Sequence, residues 1–290
     1  MIVTTIIPVY NRSGMLREAV ASVLAQTYRP IEIVIVDDGS TDDTVAVTEE
    51  LARTHPEIVV VHQANTGPGL AREAGRRIAR GAFIQHLDSD DLLMPRKFEL
   101  HVAGLMAHPE CGVSYGIVLR RGPDGTLDTR PWGCSGKRVE TMFPAMLHER
   151  LWPTPAPLYR ASLMEAAGPW STLRMEEDWE YDARIAAQAV RLHHVPELVA
   201  EVRRHGGPSL SEVMLGPEFL RDRSLAHESI FRSARNAGIT NDAPEMRHFA
   251  QRLFRLARQS SAAGLMEESK RLLELAREAG APELQIGHTA

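Results

Sequence analysis

The first hundred residues alternate short β-branched runs with stretches of helical apolar spacing, and that alternation constrains the fold more than any other feature of the chain. A strand, a helix and another strand in the same sheet require a crossover connection, so the pattern specifies parallel strands with helices packed on the faces. Four runs read as strands: Val3 to Ile7, Ile31 to Val36, Ile58 to His62 and Ala82 to Leu87. Between the first two, Ser13 can cap a helix whose apolar face is Met15, Leu16, Ala19, Val20, Val23 and Leu24, a helical period rather than a strand's alternation. Similar patterns follow Ser40-Thr41 and Gly67-Pro68, the latter with proline near a helix start, where its missing N–H costs nothing.

Beyond Pro95 a helix reaching about His108 leads into Val113 to Arg121, and Pro123-Asp124-Gly125-Thr126 reads as a reversing turn. Trp132 to Pro157 carries many Pro, Gly and aromatic residues without a period, which suggests loops over a site or merely connective loops. From Pro217 the pattern is helical nearly to the end, with Phe249, Leu253, Leu256 and Ala257 on one stripe, Leu272, Leu273, Leu275 and Ala276 on another, and Gly264 between. One such hairpin is too little for a solenoid. At 290 residues, 43% hydrophobic and 24% charged, the chain can bury a sizeable core. The expected organisation is α/β: a mostly parallel, Rossmann-like sheet flanked by helices over 1–215, divided at 110/111, with a C-terminal helical extension over 216–290.

A net charge of -5 with scattered basic residues lacks the electrostatic footprint of a nucleic-acid binder, so no nucleic-acid partner is expected. The longest apolar runs, such as Ile33 to Val36, fall far short of the roughly 18 residues of a membrane helix, and the start Met1-Ile2-Val3-Thr4-Thr5 lacks a basic n-region. These features predict a cytoplasmic protein without a transmembrane segment, with peripheral association with a membrane left open. Cys111 and Cys134 have no C-x-x-C spacing and no nearby His cluster, so they read as thiols rather than as a disulfide or zinc pair.

In open parallel sheets ligands collect beyond the carboxyl ends of the strands. Here those ends are acidic: the second strand runs into Asp37-Asp38-Gly39-Ser40-Thr41-Asp42-Asp43 and the fourth into Asp88-Ser89-Asp90-Asp91. Carboxylates crowded at one edge need a cation or hydrogen-bond donors to compensate them. Asp88 and Asp90 stand at i and i+2, able to face one Mg²⁺ or Mn²⁺ ion that bridges the phosphates of a nucleotide diphosphate. The competing reading makes Asp88 or Ser89 a helix cap. Asp37 to Ser40 can equally be a turn and a cap, or Asp38 can accept the imino N–H of a pyrimidine.

These motifs together resemble a family 2 glycosyltransferase with the GT-A fold, over roughly residues 1–210. The resemblance rests on Ile7-Pro8-Val9-Tyr10-Asn11, Val36-Asp37-Asp38-Gly39-Ser40-Thr41-Asp42, Asn65-Thr66-Gly67 leading to Ala71-Arg72, Leu87-Asp88-Ser89-Asp90-Asp91 with Pro95, Glu177-Asp178, and Arg204-His205 with Ser209 and Ser211. It implies a nucleotide-binding half in 1–110 and an acceptor half in 111–215. Pro8, Tyr10 and Asp38 would line the base pocket, and Asp88 and Asp90 would hold ribose, metal and diphosphate, with Asp90 as metal ligand. Asp178 would be the general base, with Glu177 beside it. His205 matches a histidine that in some members touches metal or diphosphate, although Glu201-Val202-Arg203-Arg204-His205 departs from the commoner Tyr-Arg-x-His. Uridine as the base is the family's habit.

Independently of that resemblance, Met175-Glu176-Glu177-Asp178-Trp179-Glu180 is an acidic run at a helix start, where the helix dipole alone would favour it. As chemistry, a sugar hydroxyl needs a carboxylate within about 2.6–3.2 Å to take its proton, and neighbouring acids help keep that base's proton affinity high. One base with no opposing nucleophile implies single displacement with inversion. Trp179 adjoins this base and is the aromatic candidate for acceptor contact, against ordinary core packing. Arg72 shares a helical face with Arg76 and can meet phosphate, against the ordinary reading of both as solvated helix arginines. A sugar-phosphate nucleotidyltransferase would need a glycine-rich loop where Pro8-Val9-Tyr10-Asn11-Arg12-Ser13 stands, and a phosphatase would carry its D-x-D after the first strand. A non-catalytic nucleotide binder using its helical tail for a partner or a second copy is the rival from outside enzymology; Asp38, Asp88, Asp90 and Asp178, all intact, count against it. Glycan, lipid-linked and protein acceptors fit the pattern equally.

Overall fold

The apolar run that opens the chain becomes β1 (Val3–Val9), and its neighbours in space are β2 (Ile31–Asp37) and β4 (Phe83–His86), both parallel to it. β3 (Ile58–His62) extends the parallel set beyond β2. This computed structural model describes residues 1–204 and 216–281. Beyond β4 the sheet continues through β7 (Leu158–Arg160), β6 (Cys111–Arg121), β8 (Arg191–Arg203) and β5 (Leu92–Leu93), giving the order β3-β2-β1-β4-β7-β6-β8-β5. β7 runs antiparallel to both β4 and β6, and β5 antiparallel to β8. Both are too short, at three and two residues, to show a hydrophobic period, and they went unanticipated.

The crossovers are α1 (Ser13–Leu24), α2 (Thr44–Thr54) and α3 (Pro68–Ile78), with α4 (Lys97–Ala107) after β5 and α5 (Ala161–Ala167) after β7. α3 opens with proline at its first position, as expected. Two starts differ from expectation. Ser13 is the first helical residue of α1 rather than its cap, and no side chain caps that helix. α2 begins at Thr44, past Ser40-Thr41, with Asp42 Oδ1 accepting from Thr44 N at 2.9 Å.

α3 lies on β1 and β2 through a close approach that only glycine permits: a Cβ on Gly75 would stand 2.5 Å from Ile6 Cγ2 and 3.3 Å from Val36 Cγ2. The start of β2 is held by Glu32, 2% exposed, which accepts from Thr4 Oγ1 at 2.6 Å, Arg80 N at 2.9 Å and Arg80 Nε at 2.6 Å.

The chain divides into two compact units. The first holds the whole sheet and α1 to α5, from Met1–Glu140, Leu151–Thr172 and the stretch beginning at Val190. The second is helical and draws on three parts of the chain: Thr141–Arg150, Leu173–Ala189 and the C-terminal region. It contains a 3-10 turn at Ala145–Leu147, α6 (Glu177–Ala186), α7 (Pro217–Asn236), α8 (Pro244–Ala262) and α9 (Met266–Glu278). The stripe Phe249, Leu253, Leu256 and Ala257 of α8 is buried as its period requires, as are Leu272, Leu275 and Ala276 of α9, while Leu273, expected on the same stripe, is only half-buried. No helix among the described residues is long and apolar enough to cross a membrane. Neither cysteine forms a disulfide.

The Gly75 contact is directly testable. Gly75→Ala should destabilise the protein by about 1–3 kcal/mol through overpacking, outweighing the roughly 1 kcal/mol of helix propensity that alanine supplies. Urea unfolding measures it, and a variant more stable than the parent would show that α3 can move off the sheet.

Candidate active site

Parallel pairing of β1 with β2 and β4 brings three strand ends together, and each delivers a polar loop to the same edge. Val9 pairs with Asp37, and Asp38 N donates to Val9 O at 2.9 Å, so the acidic segment after β2 begins beside the Pro8-Val9-Tyr10-Asn11 segment. Asn11, in a left-handed conformation at φ 50, links the two loops. Its amide donates to Ser40 Oγ at 3.0 Å, and its side-chain oxygen accepts from Thr41 N at 2.7 Å. Pro8 is half-buried, and Tyr10 is 48% exposed beside this junction.

The two aspartates after β2 have separate duties. Asp37 makes the turn, accepting from Ser40 N at 3.1 Å on one oxygen and approaching His62 Nδ1 at 3.1 Å on the other. The His62 ring is pushed up from its ordinary value by Glu49 first, and by Asp37. Asp38, 4% exposed, reaches across to the loop before α3. Its Oδ1 accepts from Gln63 Nε2 and Thr66 N, both at 2.8 Å, and from Thr66 Oγ1 at 3.2 Å; its Oδ2 accepts from Gly67 N at 2.8 Å. Of the acceptor positions on this carboxylate, one on Oδ2 remains for a ligand. Gly39 between these loops has φ +78, and a Cβ there would lie 2.7 Å from Asn65 N, so the turn requires glycine.

After β4 the chain turns at once, with Asp91 N donating to Asp88 O at 3.0 Å, and the two carboxylates of the D-x-D point to different arginines. Asp88 Oδ1 accepts from Arg72 Nη2 at 2.7 Å; Arg72 is 3% exposed, its guanidinium 5.1 Å from the Trp170 ring centre. Asp90 Oδ2 pairs with Arg12 Nη1, from the loop after β1. Arg203 of β8 donates through Nε to the Asp90 carbonyl and through its amide to Asp91 Oδ1 at 3.1 Å. Burial, then Asp90 and Asp88, push the Asp91 carboxyl well above the ordinary carboxylate range. His86, ending β4, is 2% exposed with neither ring nitrogen hydrogen-bonded, and burial, then Arg72 and Arg76, drive it well below its usual value.

Carboxylate oxygens are the hard donors that Mn²⁺ or Mg²⁺ prefers, so Asp88 and Asp90 suit such an ion by type. Among the described residues, no group of three or more His, Cys, Asp or Glu side chains is placed to hold one. His205, with Ser209 and Ser211, lies outside the described residues.

The second unit carries Glu177, Asp178 and Trp179 in the first turn of α6, behind Glu176 in a left-handed conformation at φ 57. Asp178 Oδ2 pairs with Arg150, and its Oδ1 accepts from Trp179 N at 2.7 Å. Glu177 is 7% exposed. Trp179 is 3% exposed; its indole N–H donates to Met146 O at 3.1 Å, and the ring meets His227, Phe249 and the Arg252 guanidinium at 5.3, 6.4 and 4.9 Å. Glu176 Oε1 accepts from Arg223 Nε at 3.0 Å, with Oε2 3.0 Å from His227 Nδ1. Burial pushes this carboxyl up, but His227 and Arg223 outweigh burial and bring it down to about 2.

Arg12, Arg203, Arg150 and Glu176 were missed in the sequence. Arg12 had a signal, following the Pro8 to Asn11 segment directly. Arg203 and Glu176 stood inside the runs Glu201 to His205 and Met175 to Glu180, quoted for their neighbours, whereas Arg150, in an aperiodic stretch, had none.

Residues 4–164 match the family described as Glycosyl transferase family 2, more than half of the chain. The chain belongs to that family. An uncharacterized glycosyltransferase of Escherichia coli K12 is 36% identical over 96 residues, 33% of this chain and 28% of that protein. One from Nostoc is 40% identical over 129 residues, 44% of this chain and 40% of that protein. E. coli chondroitin synthase is 42% identical over 99 residues, 34% of this chain and 14% of the synthase. The chain therefore spans well under half the length of these relatives. Among solved structures, S. aureus TarS in complex with UDP-GlcNAc superposes with a TM-score of 0.73 at 22% identity, covering 98% of this chain and 82% of that one. The Pyrobaculum calidifontis mannosyltransferase PcManGT, in complex with GDP-Man and Mn²⁺, gives 0.53 at 17% identity, covering 99% and 88%. The fold of this family 2 member is accordingly GT-A.

Two outcomes follow from the geometry. Asp38→Ala leaves Thr66 N and Gly67 N without their acceptor and should cost about 2–4 kcal/mol, given 1.5–3 per hydrogen bond to a charged group and partial rescue by water. Urea unfolding with limited proteolysis at 63–67 reads it. For Glu176 the folded carboxyl lies below its ordinary 4.5, so its stabilisation is complete above about pH 4.5 and lost as pH falls towards about 2. The stability gap between the parent and Glu176→Gln should be full at pH 6 and smaller at pH 3; a gap independent of pH would remove the ion-pair account.

Proposed function

We propose that this family member is an inverting glycosyltransferase that uses Mn²⁺ or Mg²⁺ and moves a sugar from a nucleoside diphosphate, UDP by preference, to an acceptor hydroxyl. The observation that carries this reading is the single sheet edge at which Asp38, Asp88 and Asp90 follow neighbouring parallel strands, with Tyr10 exposed beside them. Support comes from family membership and from the likeness to TarS with UDP-GlcNAc and to PcManGT with GDP-Man and Mn²⁺.

On this reading 1–110 is the nucleotide-binding half and 111–215 the acceptor half. Pro8 and Tyr10 border the base, and Asp38 offers it the remaining position on Oδ2. Arg72 and Arg12 bring positive charge to Asp88 and Asp90, which would hold the ion with His205 as a further ligand. When bound, the ion neutralises charge on the departing diphosphate. Asp178 takes the proton from the acceptor hydroxyl as that oxygen bonds to the anomeric carbon, while the carbon's bond to the diphosphate breaks and the nucleoside diphosphate leaves. Configuration inverts because the attack is direct. Glu177 and Trp179 belong to the acceptor side, with Trp179 as its packed wall.

Asp178→Asn should bind UDP like the parent and lose transfer or donor hydrolysis by about 10²–10⁴. Near-parental turnover eliminates the base. UDP with Mn²⁺ should raise the melting temperature by several degrees, since ligand at 100 times its dissociation constant adds about 2.7 kcal/mol. Asp90→Asn should abolish the metal-dependent part. A shift unaltered by EDTA and by Asp90→Asn would remove the ion from the reading, and the same panel with guanosine and thymidine diphosphates tests the base preference.

A further inference from the structure

The residue before α6 has a conformation its side chain does not favour. Glu176 is left-handed at φ 57 and ψ 19, a region in which a Cβ crowds the following carbonyl and which non-glycine residues hold only where their surroundings impose it. What imposes it here is α7. Arg223 Nε donates to Glu176 Oε1 at 3.0 Å, and His227 Nδ1, which donates to the Arg223 carbonyl at 2.9 Å, stands 3.0 Å from Oε2. His227 is fully buried between aromatic rings, stacked on Phe249 at 5.4 Å and edge-on to Trp179 at 5.3 Å.

Two residues further on is Asp178. Because α6 starts directly after Glu176, the φ and ψ of that one residue set the direction in which the first helical turn leaves, and with it the Asp178 carboxylate. Other links run from α7 to the same stretch of chain: Arg174 N, just before α6, donates to Asp222 Oδ2 at 2.8 Å, and Ser229 Oγ donates to Glu180 Oε1 of α6 at 2.7 Å. Of the links named here, the one at Glu176 acts on a left-handed residue.

We propose that Glu176, Arg223 and His227 are positioning residues for Asp178, so that α7, in the C-terminal part of the chain, aims the residue assigned as general base. This rests on that assignment and adds to it that the helical extension belongs to the catalytic apparatus. The anchored carboxylate holds the left-handed turn, and the turn holds Asp178 towards its reacting hydroxyl. A misaimed base loses rate without loss of donor affinity, because donor binding does not use it.

The test uses the full chain with Mn²⁺, UDP-GlcNAc and a panel of other UDP-sugars, reading UDP release well below the melting temperature and UDP affinity by calorimetry. Glu176→Gln and Arg223→Gln should lower kcat by about 10- to 100-fold and leave UDP affinity within about twofold. In an Asp178→Asn background neither should lower the residual rate further, since both act through Asp178. Ser229→Ala, which removes a link between the same helices away from the turn, should keep parental turnover. Glu176→Gly, which accepts the left-handed conformation without strain, is the second variant should Glu176→Gln not fold: it too should lose rate, because the anchor is gone.

If these variants turn over within twofold of the parent while Asp178→Asn is impaired, the positioning role is overturned and the base stands. If Glu176→Gln costs the same factor in the Asp178→Asn background, it acts elsewhere and the inference is overturned. If Asp178→Asn itself turns over normally, or the parent releases no UDP from any sugar nucleotide, the base assignment fails and the inference falls with it.

Discussion

Mutual repulsion of carboxylates at the carboxyl edge of one parallel sheet is the constraint on which the rest of the first unit depends. Two unit charges 4 Å apart interact by about 4 kcal/mol at an effective dielectric near 20, a large share of a domain's net stability. Four acids after β2 and β4 are compensated in different ways. Asp38 takes the backbone amides of Thr66 and Gly67, Asp88 takes Arg72, and Asp90 takes Arg12. Asp91 is buried and its carboxyl pushed well up, with the Arg203 amide on one oxygen. These bonds tie the loops after β1, β2 and β3 to one another and to the acidic turn after β4.

The same logic runs through the second unit, where Glu176 accepts from Arg223 and lies 3.0 Å from His227 Nδ1, and Asp178 pairs with Arg150. Here compensation also sets geometry. A left-handed glutamate next to a helix start is costly unless anchored, and its partners come from a helix more than forty residues downstream. Trp179 adds an apolar component, with its N–H satisfied by Met146 O and its ring packed against His227 and Phe249. The helical C-terminal region thus packs with the acidic run that precedes it, and the second compact unit gathers three separate stretches of chain.

Much of this was legible beforehand because it rests on local periodicity. β3 was read to the residue, and β1, β2 and β4 to within two residues at each end, since β-branched runs bounded by turn formers are hard to mistake. The long stripes of α8 and α9 were equally plain. Ser13 and Ser40-Thr41 do not cap the helices that follow them, because serine and threonine serve turns, first turns and caps alike; in this chain Ser13 opens α1, and Ser40 and Thr41 are taken by Asn11. β7 and β5 had too few residues to carry a period, and their pairing is dictated by strands distant in sequence.

By itself, the sequence determined the parallel α/β beginning, the acidic strand ends, the order of the family's motifs and the helical character of the C-terminal region. Those are properties of residue type and short spacing, which a chain displays unfolded. Only the tertiary structure decided which charge compensates which acid: Arg12 lies 78 residues from Asp90, and Arg203 lies 113 from the carbonyl it holds. It alone decided that Asp38 braces a loop, that Trp179 is packed on His227 and Phe249, and that Glu176 is left-handed under the hold of α7. The physical reason is the range of the interactions. Periodicity and propensity act over a helical turn or a strand, whereas ion pairs, buried hydrogen bonds and strained dihedrals exist only once distant segments have been brought together.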